Sequence, residues 1–482
     1  MKPPIYDMLM KYVSKQRIKF TTPAHKGKIR MKTDNLCSID VESLPYLFGE
    51  NNPYISVKKS EEEIAGIFGA SKSFYLCAGI DAGIYASLSS VCNPGDKVIV
   101  DPECDKAVIN AITILALVPV FIKRSYCEKY SLNGGISTEK MEAAIESAND
   151  AKVIIVTSPT YYGVCTNIKK LTSLAHENNM LVMVDESYGA HFNFAKMSPK
   201  SALECGADIV VQSLSKTLGG FSGSALLHLA ESIDKMTLAT IEANLDIYGG
   251  GAKSTALLCA SENIIFYAFK NSDKYNVIYK EIERGKQLIS AKSDILWFDI
   301  ENGNTCDIRQ NDVTKIVLNF SKVNMTAYEA AQILTGKYGI ECDYADEDNI
   351  VFSVSLYNTA TEIRKLINSI LVISKVVQAV EEDEFEVYVP ELFDEGPNAV
   401  MSPYKAFYCG GEWVDMDAAT GKICRKSISK MPHGTPIIIP GEKITPEQIN
   451  TIKTLSECGV RIHGLGENGQ IEVLSLSDSF YF

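Results

Sequence analysis

The chain carries no surplus of basic residues. Its 47 lysines and arginines face 60 aspartates and glutamates, a net charge of -13. A nucleic-acid partner is therefore not expected, because neutralising phosphates needs a basic surface. The same balance accommodates a cationic substrate, although it also serves solubility alone. The 13 cysteines are spread singly from Cys37 to Cys458 without a CxxC pair. That pattern excludes a zinc site or a disulfide framework and suggests reduced thiols, mostly small core residues. No apolar run reaches membrane-spanning length. The opening MKPPIYDMLMKYVSKQRIKF has scattered charges and no secretory apolar region. A soluble, cytoplasmic protein without metal is expected.

What is present is an ordinary globular composition, 46% hydrophobic and 22% charged over 482 residues, enough for two or three domains. An amphipathic helix over Tyr6 to Lys15 and the irregular TTPAHKGK at Thr21 to Lys28 suggest an N-terminal arm, 1–55, of the kind that packs on a partner subunit. Ser60 and Glu63 read as a capping box opening a helix that Gly69 ends. Strands are expected at FYLCAG, Lys97 to Val100, Val118 to Lys123, Val153 to Thr157, Leu181 to Val184, Ile209 to Val211 and Ala225 to Leu229, with helical stretches between them. Such alternation predicts a mostly parallel sheet covered on both faces, within a large domain at 56–295. A smaller α+β domain at 296–380 follows. The acidic run Glu381 to Glu384 reads as linker, and 381–482 closes with a C-terminal α/β domain whose Thr445, Pro446 and Gln448 form a second capping box.

Ligands of such sheets bind beyond the carboxyl ends of the strands. Asp185 ends one apolar run there, and Lys216, 31 residues later in SLSKTLGG, follows another. A lysine and an aspartate so placed suit pyridoxal 5'-phosphate (PLP). The amine condenses with the cofactor's aldehyde, and the carboxylate keeps its pyridine nitrogen protonated. Ser213 and Ser215 add hydroxyl donors, and Gly219, Gly220 and Gly223 permit close backbone approach. The bland alternative is a solvated loop lysine and a turn-forming aspartate.

These residues also carry a resemblance. PAHKG at Pro23, SPTYYGV at Ser158, DESYGAHF at Asp185, GADIVVQSLSKTL ending past Lys216, and PGEKIT and RIHG near the C-terminus resemble, in order, motifs of the Orn/Lys/Arg decarboxylases of the short bacterial arginine-decarboxylase type. These are fold-type I PLP enzymes. The resemblance spans nearly the whole chain. It implies a PLP-dependent transferase-like large domain, a C-terminal decarboxylase-type domain, a homodimer or higher homo-oligomer, and decarboxylation of arginine, lysine or ornithine feeding polyamine formation. It assigns Lys216 to hold PLP and Asp185 to bond the pyridinium nitrogen. By the same resemblance His25 and Lys26 reach the partner's site, the alternative being a surface pair; Glu442 in PGEKIT attracts the substrate's distal group unless it is simply a turn residue.

The pattern is broken where chemistry is expected. Gly79, Ile80, Asp81 and Ala82 stand in the phosphate turn where the family has hydroxyls. Asp105 replaces a histidine that stacks on the ring, Ser187 and Tyr188 replace Ala and His, and Ser215 replaces the histidine before the lysine. If Asp81 faces a phosphate at about 5 Å, repulsion at an effective dielectric near 20 is roughly 3 kcal/mol; otherwise it points away and backbone amides bind the phosphate. Tyr188 supplies an aromatic face or a proton, or only packs. Two further activities stay open: other PLP chemistry such as an aminotransferase, and a catalytically degenerate dimeric homologue with a binding or regulatory role.

Overall fold

In a computed structural model the chain is described at residues 10–28, 53–250, 253–300, 306–379, 399–431, 434–457 and 459–475. The acidic run at Glu381 and the start of the expected N-terminal helix lie outside these residues. Seven strands form the central sheet: β1 (Lys72–Leu76), β2 (Lys97–Val100), β3 (Val118–Phe121), β4 (Val153–Thr157), β5 (Leu181–Asp185), β6 (Ile209–Ser213) and β7 (Ala225–Leu229). Their order is β1-β7-β6-β5-β4-β2-β3. The pairings among β2 to β6 are all parallel, while β7 runs antiparallel to both neighbours. The expected sheet is thus present, with its edge closed by an antiparallel pair.

Why the strands read as continuous apolar runs is visible in their alternation. Val98, Val100, Val153, Ile155, Ile209 and Val211 enter one buried cluster, and Ile99, Ile154, Val156, Val182, Val184 and Val210 enter another. Both faces are covered, so neither set of side chains is free to be polar. On the first face lie α2 (Ile80–Val91) and α3 (Lys106–Ile114). Gly83 allows α2 its approach, since a Cβ there would stand 2.8 Å from Leu76 Cδ1 and 3.1 Å from Val211 Cγ1.

The helix before β1 differs from expectation. α1 spans Pro53–Phe68, so Ser60 lies inside it and does not cap it. The Ser60 hydroxyl instead lies 2.9 Å from the Tyr75 hydroxyl and donates to Glu262 at 2.5 Å. Pro53 at the first helical position supplies the start that the Ser60 and Glu63 spacing mimicked. The second box does form: Gln448 Oε1 accepts from the Thr445 amide at 3.0 Å, and Thr445 Oγ1 accepts from the Gln448 amide at 3.2 Å.

After helices α4 (Lys235–Tyr248), α5 (Thr255–Lys270) and α6 (Lys274–Lys292) comes an antiparallel sheet of β8 (Leu296–Trp297), β9 (Lys315–Asn319), β10 (Tyr344–Ala345) and β11 (Asn349–Ser353), in the order β8-β9-β11-β10. α7 (Ala360–Ile373) packs there through Ile363, Leu366 and Ile370. The described part of the N-terminal arm joins this unit of its own chain, because Ile18–Phe20 pairs in parallel with Ile340–Cys342. Near the C-terminus the strands Ile428–Lys430, Thr435–Ile438 and Ile462–His463 pack with α8 (Pro446–Glu457). No helix among the described residues is long and apolar enough to cross a membrane.

Cys127 and Cys306 are joined in a disulfide across 179 residues, which corrects the expectation that all the thiols are reduced. The pairing depends on the hairpin at Tyr126–Asn133 lying against the segment before β9, a proximity with no local sequence signal.

One buried ion pair ties the strand ends together. Arg124, just past β3, donates from Nε and Nη2 to the two carboxylate oxygens of Asp101 at 2.7 and 2.6 Å, and both side chains are almost fully buried. Asp101, which follows β2, also accepts from the Thr157 amide at the end of β4 at 3.0 Å. Breaking a buried, bidentate pair leaves an uncompensated charge. Arg124→Met is therefore expected to lower the unfolding free energy by about 3–5 kcal/mol, measured by denaturant titration.

Candidate active site

The carboxyl edge of the sheet opens into a cleft of about 280 Å³. Its lining brings together Gly79, Ile80, Asp81, Asp105, Asp185, Ser187, Tyr188, Ser213, Ser215, Lys216 and Gly223 from the sequence expectations. Glu103, Lys106, Thr157, Tyr161 and Ser222 complete it without having been singled out. The signal for them is weak: each follows a strand or flanks a named residue, and only folding shows which of the many such positions turn inward.

Asp185 ends β5 and is buried at 3% exposure. Its Oδ1 accepts from the Ser187 amide at 3.0 Å and the Ser187 hydroxyl at 2.5 Å. Ser187, one of the departures noted above, thus orients the carboxylate. Burial pushes the Asp185 carboxyl above its usual range, against the pull of the Ser187 bonds and the Lys216 charge. Lys216 lies in the short helix Leu214–Thr217 that follows β6 directly, and its ammonium stands over the Tyr188 ring, 5.6 Å from the centroid. The Ser213 and Ser215 hydroxyls are 3.1 Å apart.

At the head of α2, Gly79 adopts φ 78°, a left-handed conformation that suits glycine, and its amide donates to Gly223 O at 2.8 Å. Asp81 sits in the first turn of α2 and is among the residues that line the cleft. Asp105 caps α3, its Oδ1 accepting from the Ala107 amide at 2.9 Å. Burial raises the Asp105 carboxyl to about 7; the Ala107 bond opposes this, while the charges of Asp185 and Asp81 add to it. Where the resembled family has a stacking histidine, this chain has a helix cap whose carboxyl is raised to about 7.

His25 and Glu442 lie outside the cleft lining, as do Lys26, Ala82, Gly219 and Gly220. His25 packs edge-on to Phe221 with centroids 5.8 Å apart, beside lining residue Ser222. The arm carrying it meets the site of its own chain, since the Ala24 amide donates to Ser215 O at 2.7 Å. Glu442 is 1% exposed and accepts from the Ile439 amide at 2.6 Å, which makes it the holder of its own turn. His191 is buried between Asp312 and Thr314, 3.3 Å from each.

The residues fit PLP. Lys216 offers an amine, Asp185 a buried carboxylate, and the start of α2 offers helix-terminal backbone amides with Ser213, Ser215 and Ser222 nearby. The Thr157 hydroxyl is buried without a hydrogen-bond partner among the described residues and lines the same cleft, as an atom does that awaits a ligand. Asp81, and Asp105 when ionised, oppose an anionic tail.

Comparison with known proteins agrees with this geometry. Residues 3–310 match the family profile described as Orn/Lys/Arg decarboxylase, major domain. The chain is 27% identical over 471 residues to an arginine decarboxylase of Halalkalibacterium halodurans, covering 96% of this chain and 95% of the relative. It is 28% identical over 484 residues to an arginine decarboxylase of Bacillus subtilis, with the same coverage. Among solved structures, the constitutive lysine decarboxylase of E. coli superposes with a TM-score of 0.73 at 17% identity, covering 98% of this chain and 81% of that one. The last similarity concerns the fold.

A pH dependence follows from Asp105. Below about pH 7 its carboxyl holds a proton; above, it adds a negative charge to a cleft that receives a phosphate. Affinity for deoxypyridoxine 5'-phosphate, which lacks the aldehyde and so does not report on Lys216, is expected to fall roughly tenfold between pH 6 and pH 8, corresponding to about 1.4 kcal/mol. Asp105→Asn should flatten that profile, as measured by calorimetric titration.

Proposed function

Since the chain belongs to the Orn/Lys/Arg decarboxylase family of PLP-dependent lyases, we propose that it removes the α-carboxylate of arginine, lysine or ornithine, yielding the amine and CO2 for polyamine formation. The observation that carries the substrate class is the charge of the cleft. Four acidic side chains, Asp81, Glu103, Asp185 and Asp105, the last ionising near neutrality, line it against the two amines of Lys106 and Lys216. Such a surplus attracts a guanidinium or ammonium and disfavours an acidic side chain. Near-full-length similarity to proteins named arginine decarboxylase supports arginine first. The proposal includes a cytoplasmic homodimer or larger homo-oligomer and the division into arm, large, small and C-terminal domains.

When bound, PLP supplies an aldehyde for amines and a ring that accepts electrons from the reacting carbon. Lys216 is assigned to hold that aldehyde and to yield it to the substrate amine. Asp185, fixed by its two bonds from Ser187, keeps a proton on the ring nitrogen; its own raised affinity for protons is offset once a cationic ring lies beside it. Ser213, Ser215 and the amides at the head of α2 bind the phosphate. Tyr161 and Tyr188, mutually perpendicular with centroids 5.4 Å apart, form an aromatic wall that excludes water where the carboxylate leaves.

Purified protein supplied with PLP should develop visible absorption that borohydride fixes onto Lys216, and mass analysis of that peptide reads the result. Amine should form from arginine, lysine or ornithine. Lys216→Ala should abolish both colour and amine. Asp185→Asn should lower kcat/KM on the order of a hundredfold or more, as expected for a lost electrostatic partner. A protein that stays colourless would instead support the degenerate homologue.

A further inference from the structure

Behind the aromatic wall lies a charge that the proposed mechanism does not use. Lys315 opens β9, and its side chain is 2% exposed. The ammonium stands 4.4 Å from the ring centroids of both Tyr161 and Tyr188, and Lys216 stands over the same Tyr188 ring. On its other side Lys315 donates to Ser353 Oγ at 2.6 Å and lies 3.4 Å from Asp343 Oδ2. Asp343 accepts from Ser353 Oγ at 2.5 Å and from the Thr22 amide at 2.8 Å, and Lys26 Nζ donates to Ser353 O at 2.9 Å. Strands β9 and β11, the residues before β10 and the N-terminal arm therefore fix this ammonium from behind, so that it meets the rings from one direction.

We infer that Lys315 is a positioning residue: it pins the Tyr188 ring and so fixes the space beside Lys216 in which the substrate's α-carbon is held. Tyr188 belongs to the turn directly after Asp185, where the Gly189 amide donates to Glu186 O at 2.9 Å. A buried cation against a ring face is a strong, directional contact once water is excluded. Its loss removes a contact that, together with the Tyr161 ring and the surrounding packing, holds the Tyr188 ring in place.

The chemical consequence rests on the decarboxylase reading. Two bonds on the α-carbon compete, and the protein selects the one aligned with the electron-accepting system. When the bond to the carboxylate breaks, CO2 leaves and a proton returns to the α-carbon, giving the amine. When the bond to hydrogen breaks, the proton is delivered to the cofactor carbon, and water then releases a keto acid and pyridoxamine phosphate. A loosened wall relaxes that selection.

Two measurements on the full chain test this. In the cofactor-free protein, Lys315→Met should raise amide hydrogen exchange at residues 186–190 about tenfold while leaving 209–213 unchanged, and Lys315→Arg should stay close to wild type. With cofactor and substrate, Lys315→Met should raise the ratio of keto acid to amine, and Lys315→Arg should restore it. Tyr188→Leu, which keeps the Ser353 and Asp343 bonds, should reproduce the altered ratio. Unchanged exchange at 186–190 in Lys315→Met overturns the inference, as does a wild-type product ratio in Tyr188→Leu should Lys315→Met not fold. Absence of amine from the wild-type protein would refute the decarboxylase reading, while the exchange result would still decide the role of Lys315.

Discussion

The site depends on one constraint, the common direction of the strands. In β2 through β6 every chain leaves the sheet at the same edge, so Asp101, Thr157, Asp185 and the Lys216 turn converge there. The Asp101–Arg124 pair then holds the ends of β2, β3 and β4 together. Two charges buried this deeply are tolerated because every strong valence is met, Arg124 Nη1 donating as well to Gly134 O at 2.7 Å. A rigid edge lets short side chains be placed for chemistry without large entropic loss.

The departures from the family pattern acquire physical meaning together. Ser187 donates twice to Asp185, Tyr188 forms a wall shared by two lysines, and Asp105 becomes a helix cap. Each substituted residue remains in the cleft and makes a defined contact there. Asp81 has the least compensation: it lies among Asp105, Asp185 and the head of a helix whose dipole favours its negative charge. A carboxylate there opposes an incoming phosphate. The acid-rich lining therefore has two opposite effects, favouring a cationic substrate and weakening the hold on an anionic cofactor tail.

The cleft is assembled from sequence-distant parts. The arm reaches Ser215 through Ala24 and pairs with Ile340–Cys342 in a two-stranded sheet of its own next to Asp343, and the segment near the C-terminus comes to the start of α3, where a Cβ on Gly434 would stand 2.9 Å from Lys106 Cγ. Lys315 connects the second sheet to the aromatic wall. Perturbations in any of these units thus reach Lys216 through a few packed contacts rather than through the fold as a whole.

The sequence by itself determined the sheet, because strands buried on both faces must be apolar throughout, and it placed Asp185 and Lys216 because both directly follow such runs. Ser213 and Ser215 were legible because they flank Lys216, whereas Gly79, Asp81 and Asp105 were singled out only by the family resemblance. It misplaced the start of α1, since a serine and a glutamate three apart occur inside helices as well as at their ends. Only the tertiary structure decided the Cys127–Cys306 bond, the turn role of Glu442, the meeting of the arm with its own chain's site, and the place of Lys315 behind Tyr188. Those contacts join residues far apart in the chain, and no local pattern encodes which distant surfaces the packing of two sheets will press together.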